Sequence, residues 1–453
     1  MGGSRRAPGS GKGLADMVFF QSVFWLLVLI GVMILIHELG HFWAARFFDV
    51  RVEAFSFGFG PRLFGFRRGE TDYRFSLVLF GGYVKMAGEQ PGDENINDPR
   101  GFLAKPRWQR LIIAFAGPFM NVVLAVGLLT GLYMVKYPQI VGGAVIGSVA
   151  PGSSAAKAGL QEGDKIVVLD GQKDPAWEDI IPQEWASASR PMHLTIDRNG
   201  KNFDATVTPV TDERSGLGSA GWVWRGDVQL GQLSPKMPAQ KAGLQEGDLI
   251  LSVDGHPIHS VTGFQNFIRN GNGKPLEIQF RRADRVRQLT VQPVFSNMDG
   301  PSHFVIGAAI IPKPDIRITK LSLPEALRES VRANRQNAGL IFQVLSGIVE
   351  RRISPKTLTG PIGIGQMSGQ AAKEGPYIFF GLMSEVSLNL AIFNLLPIPI
   401  LDGGVIVMLF IEMLMRRDLS LSVKEAVFKV GFVFIMMLVA FVLYNDISKI
   451  LPG

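Results

Sequence analysis

The sequence predicts a polytopic α-helical membrane protein with four transmembrane helices, a membrane-associated β-hairpin and two extracytoplasmic α/β domains. Three observations carry this. Four segments, Phe19–Ile36, Leu111–Val135, Tyr377–Leu396 and about Val427–Leu443, run apolar for the roughly 20 residues that a bilayer core requires. Between the second and third lies a stretch of soluble composition that repeats itself. A run rich in β-branched and aromatic residues, Tyr73–Met86, sits between the first two helices. Composition agrees: 453 residues are 47% hydrophobic and 19% charged, which excludes a disordered chain. With no cysteine, a disulfide scaffold, a Cys-ligated zinc finger and a thiol enzyme are excluded too. The formal net charge of +7 then belongs at a membrane face rather than on nucleic acid.

The first apolar segment follows Arg5, Arg6 and Lys12 and could pass for a signal peptide, but no small-residue cleavage site follows it. It reads as a retained helix behind a flexible arm, 1–16. Residues 46–110 carry eleven Lys and Arg, and Arg416 and Arg417 lie between the third and fourth helices. By the positive-inside bias both loops are cytoplasmic, and 137–375 faces the other side. The three basic residues of the arm argue weakly the other way.

In the outer stretch, Ala155–Asp164 (AAKAGLQEGD) returns 84 residues on as Ala239–Asp248 (AQKAGLQEGD), and Asp170-Gly171 returns as Asp254-Gly255. A period of that size means two copies of one small domain, 137–222 and 223–316. In each, a short helix ends at a glycine, a Gly-Asp turn leads into an apolar strand, and a second glycine turn follows. The pattern resembles PDZ domains of the bacterial, circularly permuted kind. That resemblance implies a groove taking an extended peptide by strand addition; a spacer with an unused groove is the alternative. His193, His256, His259 and His303 fall here and read as solvated loop residues.

The chemistry is expected at the end of the first helix. His37 and His41 are four apart, so they project from one helical face within reach of a single ion. Glu38 is about 100° round, placed to serve a metal-bound water without being a ligand. Three ionisable side chains in an apolar helix are costly unless something uses them. A catalytic zinc needs a third protein ligand, and the membrane part has no other histidine. Glu385 and Asp402 are the leading candidates. His37 lies about 18 residues into its helix, roughly 27 Å deep. Glu385 is only about 12 Å into the third helix, whereas Asp402 lies past its far end, at the depth of His37. Pro397 and Pro399 break the helix before Asp402, and broken backbone at membrane depth is tolerated where it lines a cavity. Asp402 is therefore the expected ligand. Glu385 is expected to pair with a neighbouring helix or reach the interface, and Glu412 to sit near the cytoplasmic surface.

Together, His37-Glu38-x-x-His41, Asn394-x-x-Pro397-x-Pro399-x-Leu401-Asp402-Gly403 and the PDZ copies resemble the site-2 proteases, intramembrane zinc metalloproteases of peptidase family M50. The likeness covers the chain apart from its first sixteen residues and is nearest to the bacterial RseP branch with tandem PDZ domains. It implies one Zn2+ per chain held by His37, His41 and Asp402, with Glu38 as base. It also implies substrate contacts at Asn394, Pro397 and Pro399, at Gly58-Phe59-Gly60, and at Gly81-Gly82-Tyr83 in a membrane-entering β-loop whose edge strand pairs with substrate. Val405 departs from the branch, which has His after the Asp-Gly-Gly. Read alone, Tyr73–Met86 is a hairpin around Gly81-Gly82, and Gly58–Pro61 is a flexible turn beside it. Leu323–Arg352 reads as an amphipathic helix, on the outer membrane surface or packed on the second PDZ copy, within a 317–374 segment ending in a linker.

The expected function is hydrolysis of a peptide bond within or near the transmembrane segment of a single-span membrane protein in a bacterial inner membrane. The resemblance offers anti-sigma factors and remnant signal peptides as substrates, trimmed beforehand by another protease. The PDZ copies, on the periplasmic side, would exclude untrimmed ectodomains or take a new C-terminus, with the active site near the cytoplasmic face. A PDZ adaptor with a vestigial metal site would show a broken motif, and a zincin of the HExxH…Glu type would need a downstream helical Glu. Neither is the pattern here. The two membrane halves, 17–136 and 375–453, each bring part of the centre.

Overall fold

The computed structural model describes residues 10–89, 98–140, 143–212, 215–296, 302–313 and 316–450. They fall into two units: a helical one of residues up to 137, 320–341 and 358 onward, and a β-rich one of residues 138–319 and 342–357. Four helices of the first unit are long and apolar enough to cross a membrane.

The first helix, α1 (Ser10–Phe47), starts earlier and ends later than its apolar run. Of the expected arm, residues 1–9 lie outside the described residues, and from Ser10 the chain is already helical. Extending an existing helix adds one hydrogen bond per residue without a new nucleus, so glycines and a serine can join it. At the other end the helix continues past His41, so the histidines sit in its body rather than at its end.

β1 (Val52–Arg68) and β2 (Thr71–Met86) follow, joined at Gly69-Glu70. This corrects two expectations. Tyr73–Met86 is one strand, not a hairpin around Gly81-Gly82, and Gly58–Pro61 lies inside β1. Gly58 and Gly60 take φ of +95° and +85°, bending the strand where a turn was read. The bend lets Phe55 pair with Val84 on one side and Tyr73 on the other, while Gly65 pairs with Arg74. Gly82–Met86 is thereby one edge of a small sheet. Its surface leaves Leu63, Phe64, Phe66 and Leu77 exposed.

α2 (Arg107–Val135) returns along α1, with Arg110, Ile113, Gly117, Asn121 and Ala125 buried on one face. Gly40 of α1 is what permits the approach, since a Cβ there would collide with the Ala116 carbonyl oxygen.

In the β-rich unit each repeat builds its own core. The first has α3 (Ser154–Lys157) and α4 (Trp177–Ala186), with Lys165–Leu169 paired to Met192–Arg198. The second has α5 (Pro238–Lys241) and α6 (Val261–Asn270), with Leu249–Val253 paired to Leu276–Arg282. Equivalent positions fill equivalent places: Ile166 and Ile250, Leu169 and Val253, Ile180 and Phe264, Leu194 and Ile278 are all buried. The Gly-Asp turn has a role the sequence did not disclose. Asp164 and Asp248 are buried and receive Arg198 Nε and Arg282 Nε at 2.6 Å, the same 84 residues apart. Each arginine also donates to the carbonyl of the helix-ending glycine, Gly159 or Gly243. These hydrogen bonds hold both guanidinium groups above their ordinary pKa. Removing either arginine would leave its buried carboxylate with the Gln161 or Gln245 N–H and solvent, a loss of about 1–3 kcal/mol.

α7 (Leu323–Val349) has its residues up to 341 in the helical unit and the rest in the β-rich one. In the helical unit it buries Ala326, Ser330 and Asn334, and Ser330 Oγ meets Thr130 Oγ of α2 at 2.7 Å. Leu323, Leu327 and Val331 stay exposed. The packed face is small and polar, and the free surface carries Arg328, Arg332 and Arg335 as well as these apolar residues, which gives the amphipathic helix expected from the sequence.

α8 (Pro361–Glu374) replaces the expected linker. Its start is fixed by the buried Asp446, which accepts the backbone N–H groups of Gly360, Ile362 and Gly363 at 2.9–3.1 Å. A carboxylate there satisfies orphan amides and suits the positive end of a helix. α9 (Pro376–Asn394) packs Phe379 and Met383 on Leu29 and Met33 of α1. After the proline break come α10 (Asp402–Met415), too short to have been read as a span, and α11 (Leu421–Ile450), which supplies Asp446.

Candidate metal centre and active site

α1 and the start of α10 bring three sequence-predicted side chains together. His37 Nε2 lies 3.1 Å from His41 Nε2 and 3.1 Å from Asp402 Oδ2, and His41 Nε2 lies 3.5 Å from Asp402 Oδ1. Among the described residues this is the one cluster of three His, Cys, Asp or Glu side chains with ligand atoms so close, all within 4.8 Å.

The outer ring nitrogens decide what the inner ones can do. His41 Nδ1 is 2.8 Å from the Ile113 carbonyl of α2, which can only accept, so Nδ1 carries the proton and Nε2 a lone pair. His37 Nδ1 faces the Asn121 amide at 3.3 Å. Asn121 is fully buried and its Oδ1 otherwise lacks a partner. Turning the amide so that Oδ1 accepts from His37 Nδ1–H satisfies both groups. Two lone pairs and a carboxylate then converge on one point, an arrangement that repels itself without a cation.

Gly117 of α2 leaves the space for it: a Cβ there would fall on His41 Nε2 and lie 2.8 Å from His37 Nε2. Two imidazoles and one carboxylate are a donor set suited to catalytic zinc, with a position left for water. The residues present therefore fit the ion.

Glu38, half-buried, turns toward β2 rather than into the cluster. A Cβ on Gly82 would lie 3.2 Å from Glu38 Cγ, so the edge strand runs beside this turn of α1. Gly81 (φ +145°) sits under the Phe59 ring, which a Cβ would strike, and Phe59 stacks with Tyr83 at 6.1 Å between centroids. Phe59, Gly81, Gly82 and Tyr83 thus form one patch, with Gly58 in the bend beside it and Gly60 beyond, open around its Cα. Asn394 ends α9 and is half-buried; Pro397 is exposed and Pro399 half-buried in the break before Asp402. Glu385 is exposed on α9, outside the cluster.

Sequence reasoning missed Ile113, Gly117 and Asn121. A Gly-Pro step and an asparagine in an otherwise apolar span were the available signal, since polar groups inside a membrane segment mark function.

The match to peptidase family M50 extends over residues 25–438. The chain belongs to that family. The regulator of sigma-E protease RseP of Salmonella typhimurium is 31% identical over 95% of this chain and 100% of its own length. Its Escherichia coli counterpart is 30% identical over 94% and 98%. A Vibrio cholerae protein named as a candidate zinc metalloprotease is 30% identical over 94% and 98%. Among solved structures, the PDZ domain of the SdrC-like protein from Listeria monocytogenes matches 20% of this chain and 90% of that domain. The identity there is 23% and the TM-score 0.17. This M50 member is an intramembrane zinc metalloprotease, and its four long apolar helices make it a multi-pass membrane protein.

Proposed function

We propose that this enzyme cuts single-span membrane proteins within or beside their transmembrane segment, with zinc held by His37, His41 and Asp402 and Glu38 as general base. The observation that carries this is the convergence of those three ligand groups beside Glu38, the two histidines within a helix long enough to cross a bilayer and the aspartate at the start of α10. When bound, zinc polarises the scissile carbonyl and makes its water a nucleophile near neutral pH. Ile113 and Asn121 keep both Nε2 lone pairs aimed at the ion. Glu38 takes the proton of the attacking water and later delivers one to the leaving amine.

A helical substrate hides its peptide bonds, so cleavage requires an extended segment whose free N–H and C=O groups would each cost several kcal/mol in hydrocarbon. The Gly82–Met86 edge supports pairing with that segment, and the exposed Phe64 and Phe66 of the same sheet suit a membrane. Phe59, Tyr83, Asn394, Pro397 and Pro399 border the path, with Gly58, Gly60 and Gly81 shaping it. By analogy with the sigma-E regulators the substrates are anti-sigma factors or remnant signal peptides, trimmed first by another protease. The two repeats then act as PDZ-like filters on the periplasmic side of an inner membrane, and the zinc lies near the cytoplasmic face.

The test is zinc content and cleavage of a tagged single-span substrate by Asp402→Ala and Glu385→Ala variants in detergent. Asp402→Ala is expected to lose both; Glu385→Ala keeps both. Zinc loss confined to Glu385→Ala overturns the ligand set.

A further inference from the structure

The third ligand is the first residue of a fourteen-residue helix whose opposite end carries a buried ion cluster that the chemistry above does not use. Glu412, 1% exposed, accepts Lys424 Nζ at 2.7 Å and the Leu419 N–H at 3.0 Å through Oε1. Its Oε2 is 3.8 Å from Arg110 Nη2, and Arg110, 4% exposed, also reaches Asp418 Oδ1 at 3.3 Å. Arg110 lies on α2 one turn before Ile113, whose carbonyl orients His41. Lys424 lies in the first turn of α11. Glu412 therefore holds the end of α10 to Lys424 of α11 at hydrogen-bond distance and faces Arg110 of α2 at ion-pair distance, its Oε2 accepting no hydrogen bond.

The same α11 supports the other end of α10. A Cβ on Gly431 would collide with the Pro399 carbonyl oxygen and lie 2.5 Å from Pro399 Cβ, so the proline break rests directly on the α11 backbone. Gly404 is equally close to Ile398 and Pro399, and Gly403 to Leu395 and Leu396, which folds the break back on the first turn of α10. Ile400, a β-branched residue two before Asp402, is held at φ +87°. Strain of that kind persists only where the surroundings over-determine the backbone.

We propose that Glu412 is a positioning residue for the metal centre: with Lys424 and Arg110 it registers α10 between α2 and α11, so that Asp402 meets the histidines. The proposal rests on Asp402 being a zinc ligand. Burying one carboxylate against two cations is a weak source of net stability, because desolvation offsets most of the Coulombic gain. What such a cluster supplies is a fixed register, and here the register is that of a ligand about 15 Å away along the helix.

The experiment compares the full chain in detergent with Glu412→Gln, Glu412→Asp, Gly431→Ala and Asp402→Asn, and uses Glu425→Gln, exposed on α11, as control. The readouts are the zinc dissociation constant by chelator competition and the rise in Tm that zinc produces over the zinc-free protein. Glu412→Gln and Gly431→Ala are each expected to weaken zinc binding roughly 10–100-fold, the range for lost outer support. The zinc-induced rise in Tm then shrinks, while Glu412→Asp recovers part of the affinity and the control matches wild type. A purely structural role would lower both Tm values equally and leave the dissociation constant unchanged, which would overturn the proposal. If Glu412→Gln does not fold, a wild-type dissociation constant in Glu412→Asp, whose shorter side chain draws the carboxylate back from Lys424, overturns it. Wild-type affinity in Asp402→Asn removes the ligand reading itself, a result distinct from any of these.

Discussion

Glu38→Gln is expected to bind zinc as wild type does and to lose cleavage by about 10²–10⁴-fold, the usual contribution of a positioned general base. The amide keeps the shape of the side chain and its fit beside Gly82, but it cannot take a proton from water. Since Glu38 stands outside the ligand cluster, metal content separates this loss from a loss of the site. Cleavage assays on matched zinc-loaded samples check it. A variant that cuts at the wild-type rate would mean that another group takes the proton.

Gly117→Ala is the second large effect, and it involves no ionisable group. Its methyl would occupy the point where both Nε2 atoms converge. Backbone relief is unavailable, because Gly117 faces α1 from the middle of α2, where Asn121 and Ile113 are also engaged. The expected result is zinc affinity weakened by at least about 10–100-fold, with cleavage falling alongside it. Far-ultraviolet circular dichroism should stay unchanged, because alanine is a better helix former than glycine. Gly127→Ala on the same helix, where a Cβ meets nothing within 4 Å, should behave as wild type. Equal zinc affinity in both variants would mean that the ion does not sit where the histidines point.

What the sequence disclosed and what it hid follow from how local the signals are. Two histidines one turn apart need only helical periodicity, and depth counted along two helices singles out Asp402 over Glu385. The 84-residue repeat is legible because two domains with the same core must repeat the same glycine turns. Their arginines were missed, since Arg198 and Arg282 lie far along the chain from Asp164 and Asp248, at the ends of otherwise ordinary strands. Gly58 and Gly60 carry turn chemistry yet bend a strand, because a positive φ serves either purpose. The α8 segment reads as a linker because its start is fixed by Asp446, more than eighty residues away. Gly117 and Asn121 act on histidines of another helix, and no single-helix pattern encodes that.

Mapping the scissile bond tests intramembrane cleavage most directly. The purified protein in proteoliposomes is given a tagged single-span substrate lacking its ectodomain, and the products are identified by mass spectrometry. New termini are expected within or immediately beside the apolar segment, and none with Glu38→Gln or after zinc removal. Termini found only in the soluble tail, away from the membrane, would place cleavage outside the bilayer and overturn the proposed function.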